Sequence, residues 1–268
     1  MPLITANGLQ LHYDVQGVGE PLLLIAGFAC DHSIWSQVHP SLVSMYKIIL
    51  FDNRGAGRSS SPDTPYSIRQ MAEDALAVLN EIGVDRVHVA GHSMGGQIAQ
   101  QLALTHCERV SSLLLLSSCA KCDERTKLLI ETFGELPRIV EPDTCARIIM
   151  PWLYTSAFFS RPGAVDQLLK VLLANPFPPT VHGMYHQSRA IAAYDNLARL
   201  GTIRCPTLIM VGKEDILFPL DFSQQLAQRI PTAELVVLEN AGHGLLIETP
   251  DAVAGAMREF LDRHSRTS

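Results

Sequence analysis

Val87-His88-Val89-Ala90-Gly91-His92-Ser93-Met94-Gly95-Gly96 decides the reading of this chain. Val87 to Ala90 is a short apolar run of the kind that forms a strand buried on both faces. Gly96 to Leu104 reads as a helix. Between them lies a G-x-S-x-G pentapeptide, Gly91 to Gly95. A serine at such a joint sits on a sharp, strained turn, so the residues two before and two after it must be tiny for strand and helix to close up. Gly91 and Gly95 meet that need, and Gly96 adds room. The turn lifts the Ser93 hydroxyl above the C-terminal edge of a sheet, where open α/β folds bind ligands. Alone, the pentapeptide is equally a Ser-Gly turn without chemistry. Its place between a buried strand and a helix gives it meaning.

Similar runs lie on either side: Pro21–Ile25, Ile48–Phe51, Leu113–Leu116, Thr207–Val211 and Leu235–Leu238. Helical patterns separate them. Ser67 to Ile82 places apolar residues at 68, 71, 72, 75, 76, 79 and 82, a spacing of three and four. Ser67 followed by Gln70 is a capping box, and Gly83 stops the helix. Phe222–Ile230 and Val253–Leu261 read as further helices. Near the start, Asn7-Gly8 is a two-residue hairpin turn followed by alternating Leu9, Leu11 and Tyr13. Strands alternating with helices predict an α/β fold with a mostly parallel, doubly wound sheet. Residues 120–200 break the rhythm: they hold 7 of the 16 prolines and no clear strand, and they are too long for a bare loop. They are expected to form a helical cap inserted after the sixth strand, over one edge of a core made of residues 1–119 and 201–268.

Composition excludes several classes. In 268 residues, 47% hydrophobic content supplies a sizeable core and rules out a disordered chain. Twenty-one basic against 27 acidic residues give a net charge of −6 without a basic block, so no grip on nucleic acid is expected. The longest strongly apolar stretch, Leu22 to Cys30, falls well short of the roughly 20 residues of a spanning helix, so no membrane association is expected. The N-terminus lacks the basic start and long apolar segment of a secretory signal. Six scattered cysteines then read as reduced thiols in a cytoplasmic protein. Cys119-Ala-Lys-Cys122 has redox or metal spacing, but no second pair follows, so it reads as two free thiols. Gly55-Ala-Gly57 lacks the remaining glycine of a dinucleotide loop and reads as a turn.

A serine hydroxyl needs a base to take its proton, and in this order of elements the base is a late histidine. His243, in Ala241-Gly-His-Gly244 after the last strand, has that placement. His88 lies inside a strand and His92 in the turn itself. His12, His32, His39, His106, His182, His186 and His264 lack the placement and read as surface or packing residues. A carboxylate must fix the imidazole tautomer. Asp215, after the strand 207–211, would emerge at the same sheet edge. Its rivals are Glu214, which points the other way if the chain is extended there, and Asp221, which reads as the cap of the next helix. Acyl chemistry also needs two N–H donors for an oxyanion. These should be Met94, the residue after the nucleophile, and Phe28, where Gly27 lets the backbone approach.

With these residues in view, the chain resembles the α/β-hydrolase superfamily over nearly its whole length. The matching segments are Pro21–Phe28, Phe51–Ser59, Gly91–Gly95, Pro206–Gly212 and Ala241–His243. The resemblance implies Ser93, Asp215 and His243 as a catalytic triad and Phe28 and Met94 as the oxyanion hole. It assigns the Asp52–Ser59 loop a supporting role. Ala26-Gly27 replaces the commoner His-Gly pair and leaves the backbone donor intact. Haloalkane dehalogenases and epoxide hydrolases carry Asp at the turn, so Ser93 argues for the serine-nucleophile branch. The layout from Gly27 through Trp35 and the Pro151–Tyr154 patch are similar to the 3-oxoadipate enol-lactonase-like and carboxylesterase group. Enol-lactonases tend to place an Arg beside the cap Trp to meet an acidic substrate, whereas Met150 and Pro151 precede Trp152 here. Clefts of this kind are mainly apolar, which makes Trp152, Phe158 and Phe159 candidate substrate contacts.

The expected activity is hydrolysis of a small to medium carboxylic ester or lactone through an acyl-enzyme, with a small-molecule acyl substrate and no metal or organic cofactor. The same triad could serve C–C bond hydrolysis or cofactor-free perhydrolysis. A ligand-sensing protein with slow turnover is the alternative outside enzymology.

Overall fold

Each apolar run of the sequence becomes a strand in the computed structural model, which describes residues 2–265. The strands are β1 (Leu3–Ala6), β2 (Leu9–Gln16), β3 (Glu20–Ile25), β4 (Tyr46–Phe51), β5 (Val87–His92), β6 (Val110–Leu116), β7 (Thr207–Gly212) and β8 (Ala233–Leu238). They form one sheet in the order β1-β2-β4-β3-β5-β6-β7-β8. β1 and β2 join antiparallel, with Asn7 and Gly8 both at positive φ in the connecting turn. From β4 to β8 every pairing is parallel. The chain turns to opposite sides of β3, so the topological switch falls between β3 and β5. A ligand crevice is expected outside the carboxyl ends of those two strands.

The helices are α1 (Ile68–Glu81), α2 (Met94–Thr105), α3 (Glu124–Glu135), α4 (Pro142–Leu153), α5 (Ser156–Phe159), α6 (Ala164–Leu173), α7 (Val181–Ala193), α8 (Leu220–Arg229), α9 (Leu245–Glu248) and α10 (Pro250–His264). Alternation along each parallel strand feeds two cores. Leu23, Ile25, Val89, Leu113 and Leu115 pack with Met71, Val78 and Ile98 from α1 and α2. Leu22, Leu24, Leu114, Leu116 and Met210 pack with Trp35 and with Met257 and Phe260 of α10. Burial on both faces explains why these strands read as continuous apolar runs. Ser67 caps α1 by accepting the Gln70 N–H, and Gly83 follows the helix at φ +66°.

Three helix starts differ from expectation. α2 begins at Met94 rather than Gly96, because the first turn of a helix tolerates the glycines that the joint requires. α10 begins at Pro250, a residue suited to a first turn. α8 begins at Leu220 with Pro219 at its N-cap. Asp221 therefore lies inside the first turn and is not the cap.

Between β6 and β7 the regular structure is helical, α3 to α7 joined by loops, apart from a single bridge between Lys121 and Asp195. It forms the helical cap inserted after the sixth strand. The outermost positions of the expected core, 1 and 266–268, lie outside the described residues. Among the described residues no helix is long and apolar enough to cross a membrane.

Candidate active site

The geometry at Ser93 follows from the joint that the sequence prescribes. Ser93 adopts φ 55° and ψ −117°, a region that costs a non-glycine residue about 1–3 kcal/mol. The surroundings hold it there. Its N–H donates to Leu116 O at 2.8 Å, and its carbonyl accepts from Gly96 N and Ser118 Oγ, each at 2.9 Å. A Cβ at Gly91 would overlap the backbone of Gly95, and one at Gly95 would overlap Ile25 O. Strand and helix can therefore close only with glycine at both positions.

His243 and Asp215 converge on this hydroxyl. His243 Nε2 lies 3.0 Å from Ser93 Oγ, and His243 Nδ1 lies 2.9 Å from Asp215 Oδ2. The carboxylate decides the tautomer. Nδ1–H donates to Asp215, which leaves Nε2 free to accept the Ser93 proton. Asp215 is itself fixed, because its Oδ1 accepts the N–H groups of Leu217 and Phe218 at 3.0 and 2.8 Å. Ser93, Asp215 and His243 are 5%, 4% and 3% exposed, so the chain of hydrogen bonds lies in a water-poor setting. Glu214, the neighbouring rival, is exposed.

Phe28 follows β3 at the adjacent strand end. A Cβ at Gly27 would lie 3.2 Å from Ser93 Cβ, so this turn passes close beside the serine. Among the described residues no protein acceptor meets the N–H of Phe28 or of Met94. The turn is tied down on both sides. Asn53 Nδ2 donates to Ala26 O at 3.0 Å, and Ala29 N–H donates to Gln187 Oε1 at 2.8 Å. Beyond it, the His32 N–H and Nδ1 meet Asp52 Oδ1 at 2.9 and 2.7 Å.

Three contacts at the site escape a reading of the sequence. His92 Nε2 donates to the carbonyl of His243 at 2.9 Å. Burial, and then the neighbouring His243 ring, push the His92 pKa down to about 3. It is therefore neutral and serves as a prop for the histidine loop. Buried Glu248 joins that loop to the cap: Oε2 accepts Gly242 N–H at 2.8 Å, and Oε1 accepts the N–H and hydroxyl of Thr155 at 2.9 and 2.7 Å. The Tyr154 ring packs so closely on Gly244 that a Cβ there would overlap it. Tyr154 directly follows α4 and ends the Pro151–Tyr154 patch, of which the sequence marks only Trp152 as a candidate contact.

The cap aromatics divide: Phe158 and Phe159 lie edge to face with ring centroids 5.7 Å apart, whereas Trp152 packs with a different cluster. Phe158 is buried in the cap's own cluster with Met150 and Leu169, stacked on Tyr154 at 4.5 Å. Phe159 is 36% exposed. Trp152 is half-buried against the main core, and the guanidinium of Arg125 lies 5.7 Å from its ring centroid. An arginine thus does stand beside the cap tryptophan. It comes from α3, not from the residues preceding Trp152, and it also donates to Ile216 O next to Asp215.

His12, His32 and Asp52 form a group of possible metal ligands, with donor atoms within 4.8 Å of one another. Asp52 is already engaged by His32 and by the Arg58 N–H, and His12 lies 3.0 Å from it. Burial holds the pKa of His12 below its ordinary value. Cys119 and Cys122 are free thiols with sulfurs 3.6 Å apart. Burial, and then the second thiol, raise the Cys119 pKa, which opposes the thiolate chemistry of a redox pair.

A parallel sheet with a strained serine above its switch point, a buried His–Asp pair beside it and a helical cap define the class, and comparison agrees. Residues 22–256 match the model of the alpha/beta hydrolase family, and the chain belongs to that family of hydrolases. It is 33% identical over 251 residues to "Putative carbamate hydrolase RutD" of Azorhizobium caulinodans, covering 94% of each chain. It superimposes on a thermophilic esterase from Thermogutta terrifontis with a TM-score of 0.88 and 27% identity, covering 99% of this chain and 100% of that one. An enol-lactonase from Burkholderia xenovorans gives a TM-score of 0.87 and 25% identity, covering 97% and 100%.

Proposed function

We propose that this hydrolase cleaves a small to medium carboxylic ester or lactone through an acyl-enzyme on Ser93. The observation that carries the reading is the continuous path from Ser93 Oγ through His243 to Asp215, at 3.0 and 2.9 Å. His243 Nε2 takes the hydroxyl proton as Ser93 attacks the substrate carbonyl. The carbonyl oxygen becomes an oxyanion and accepts the N–H groups of Phe28 and Met94. Asp215 stabilises the imidazolium and stays ionised. The imidazolium then protonates the departing alkoxide, which leaves as an alcohol or, from a lactone, stays attached as a hydroxyl. Water, activated by the same histidine, attacks the acyl-enzyme and releases the acid and Ser93. The Ser93 proton leaves with the alcohol and a proton from the water replaces it, so the serine and the histidine end the cycle as they began it.

Ser93→Ala is the first test. It should abolish turnover of p-nitrophenyl acetate and leave the fold intact. Full esterase activity in that variant would overturn the reading. A carbamate substrate is the second reading, supported by the name that the RutD relatives carry. Nitrogen donation makes a carbamate carbonyl less electrophilic, but its attack uses the same residues. Comparing kcat/KM for matched esters, lactones and carbamates, with a vinylogous diketone and peroxide plus acetate alongside, distinguishes these uses of the triad.

A further inference from the structure

The oxyanion turn is an awkward piece of backbone. Cys30 N–H closes on Gly27 O at 3.4 Å, so Phe28 and Ala29 are the central residues of a four-residue turn. Ala29 has φ +58°. A turn of this type requires positive φ at its third position and usually places glycine or asparagine there. With alanine, the turn is under a steady bias to flip the Phe28–Ala29 peptide, which would carry Ala29 to negative φ and turn its N–H around. That peptide shares the Phe28 Cα with the N–H expected to face the oxyanion. Phe28 N–H belongs to the neighbouring Gly27–Phe28 peptide, so a flip does not turn it directly but frees the turn from its anchor, and the donor is no longer held on its line.

What opposes the flip comes from the cap. Gln187, fully buried on α7, accepts the Ala29 N–H through Oε1 at 2.8 Å and donates through Nε2 to Arg54 O at 2.8 Å. Both ends of the amide are used, so its orientation is fixed. The seat is built to allow this approach. Gly183, one turn earlier on α7, meets Gly55 so closely that a Cβ on Gly183 would overlap the Gly55 carbonyl. Flipping the turn would strand the buried Gln187 acceptor and take the partly buried Ala29 donor from its partner, which is costly.

We propose that Gln187 is a positioning residue for the oxyanion hole, holding the Phe28–Ala29 peptide so that Phe28 N–H faces the reacting carbonyl. On this view the cap helix is part of the catalytic machinery as well as a cover. The inference rests on the acyl-enzyme reading, so the experiment begins with Ser93→Ala on p-nitrophenyl acetate. If that variant keeps full activity, the parent reading falls. If it is inactive, Gln187 is tested separately.

Gln187→Met keeps the volume of the side chain and removes both hydrogen bonds. Loss of a whole oxyanion donor costs about 10²–10³ in kcat, and a misaimed donor should cost about 10–100-fold. KM should stay within about threefold of wild type, because the oxyanion forms only in the transition state. Affinity for a trifluoromethyl ketone, which adds to Ser93 as an oxyanion, should fall by the same factor as kcat/KM. The acid limb of the kcat/KM profile, set by the histidine, should stay in place. Adding Ala29→Gly should recover about fivefold or more of kcat, since glycine adopts positive φ freely. Gln187→Asn stays polar but is one methylene too short to reach Ala29 N–H, so it should show the same loss of kcat; it carries the test if Gln187→Met does not fold. The proposal is overturned by wild-type kcat in Gln187→Met or, where that does not fold, in Gln187→Asn, by a loss confined to KM, or by a shifted acid limb.

Discussion

Replacing Ser93 by alanine and by glycine separates two effects that one variant would mix. Ser93 sits at φ 55° and ψ −117°. Alanine keeps the Cβ that makes this backbone costly and loses only the hydroxyl. That hydroxyl makes one side-chain hydrogen bond, to His243 Nε2. The net value of such a bond is about 1 kcal/mol, and part of it returns when His243 relaxes, so Ser93→Ala should melt within a few degrees of wild type. Glycine loses the same bond and also removes the clash. The strain is worth about 1–3 kcal/mol. The extra backbone freedom of unfolded glycine offsets about 0.5–1 kcal/mol of this. The net gain of Ser93→Gly over Ser93→Ala is therefore about 1 kcal/mol. A chain of this size converts that to roughly 2–4 °C in Tm. Differential scanning calorimetry of both variants, each shown to be inactive, measures the difference. The contacts fixing Ser93 N–H and C=O involve backbone atoms common to both variants, so they cancel. If Ser93→Gly melts at or below Ser93→Ala, the strain at the joint is not stored as described.

Asp215→Asn should lower kcat by about 10⁴ with little change in KM, because an amide can hold the imidazole in the wrong tautomer; a loss below about tenfold in steady-state assays would remove Asp215 from its role. Glu248→Gln offers an N–H either to Gly242 N–H or to the two Thr155 donors, so one buried donor loses its acceptor. It should cost about 1–3 kcal/mol, seen as several degrees in Tm and as a fall in kcat from the loosened His243 loop. An unchanged melting curve would show that the cap tie carries no load. Folding depresses the His92 pKa to about 3 from an unfolded value near 6.5. This stability is fully present above about pH 6.5 and drains away as the pH falls toward 3, with roughly 2 kcal/mol gone at pH 5. Urea unfolding at pH 7 and pH 5 should show that extra acid loss in wild type and not in His92→Gln, and equal losses in the two proteins would contradict it.

The parts of this molecule legible in the sequence are those whose physics is local. A buried parallel strand must be apolar on both faces, so Leu22–Ile25 and Leu113–Leu116 announce themselves. A strained serine between strand and helix needs glycine on both sides, so Ser93 does too. His243 is legible because glycines flank it at a strand end. The ties that hold these pieces are not local. Gln187 reaches Ala29 across 158 positions, and Glu248 reaches Thr155 across 93. A buried glutamine on an amphipathic helix looks like any other polar residue until its partner is placed. His92 lies within the recognised motif, yet its use depends on where the His243 carbonyl falls. Arg125 shows the same limit from the other side. Seeking a cation next to Trp152 in the chain finds Met150 and Pro151, while the guanidinium arrives from a different helix.

These long ties share a logic. Ser93, His243 and Phe28 stand on separate loops at the sheet edge, and the sheet fixes only where each loop begins. An oxyanion donor misplaced by a fraction of an ångström loses much of its value, so the loop ends need fixing as well. The cap grips both loops: Gln187 and Asn175 hold the turn after β3 through Ala29 and Asp31, and Leu153 O and Thr155, the latter through Glu248, hold the loop after β8. The Glu248 grip is buried and the Gln187 grip partly so, and both use backbone N–H groups that would otherwise lack a protein acceptor, so releasing either is costly. A cap anchored in this way cannot lift as a rigid body without disturbing both loops.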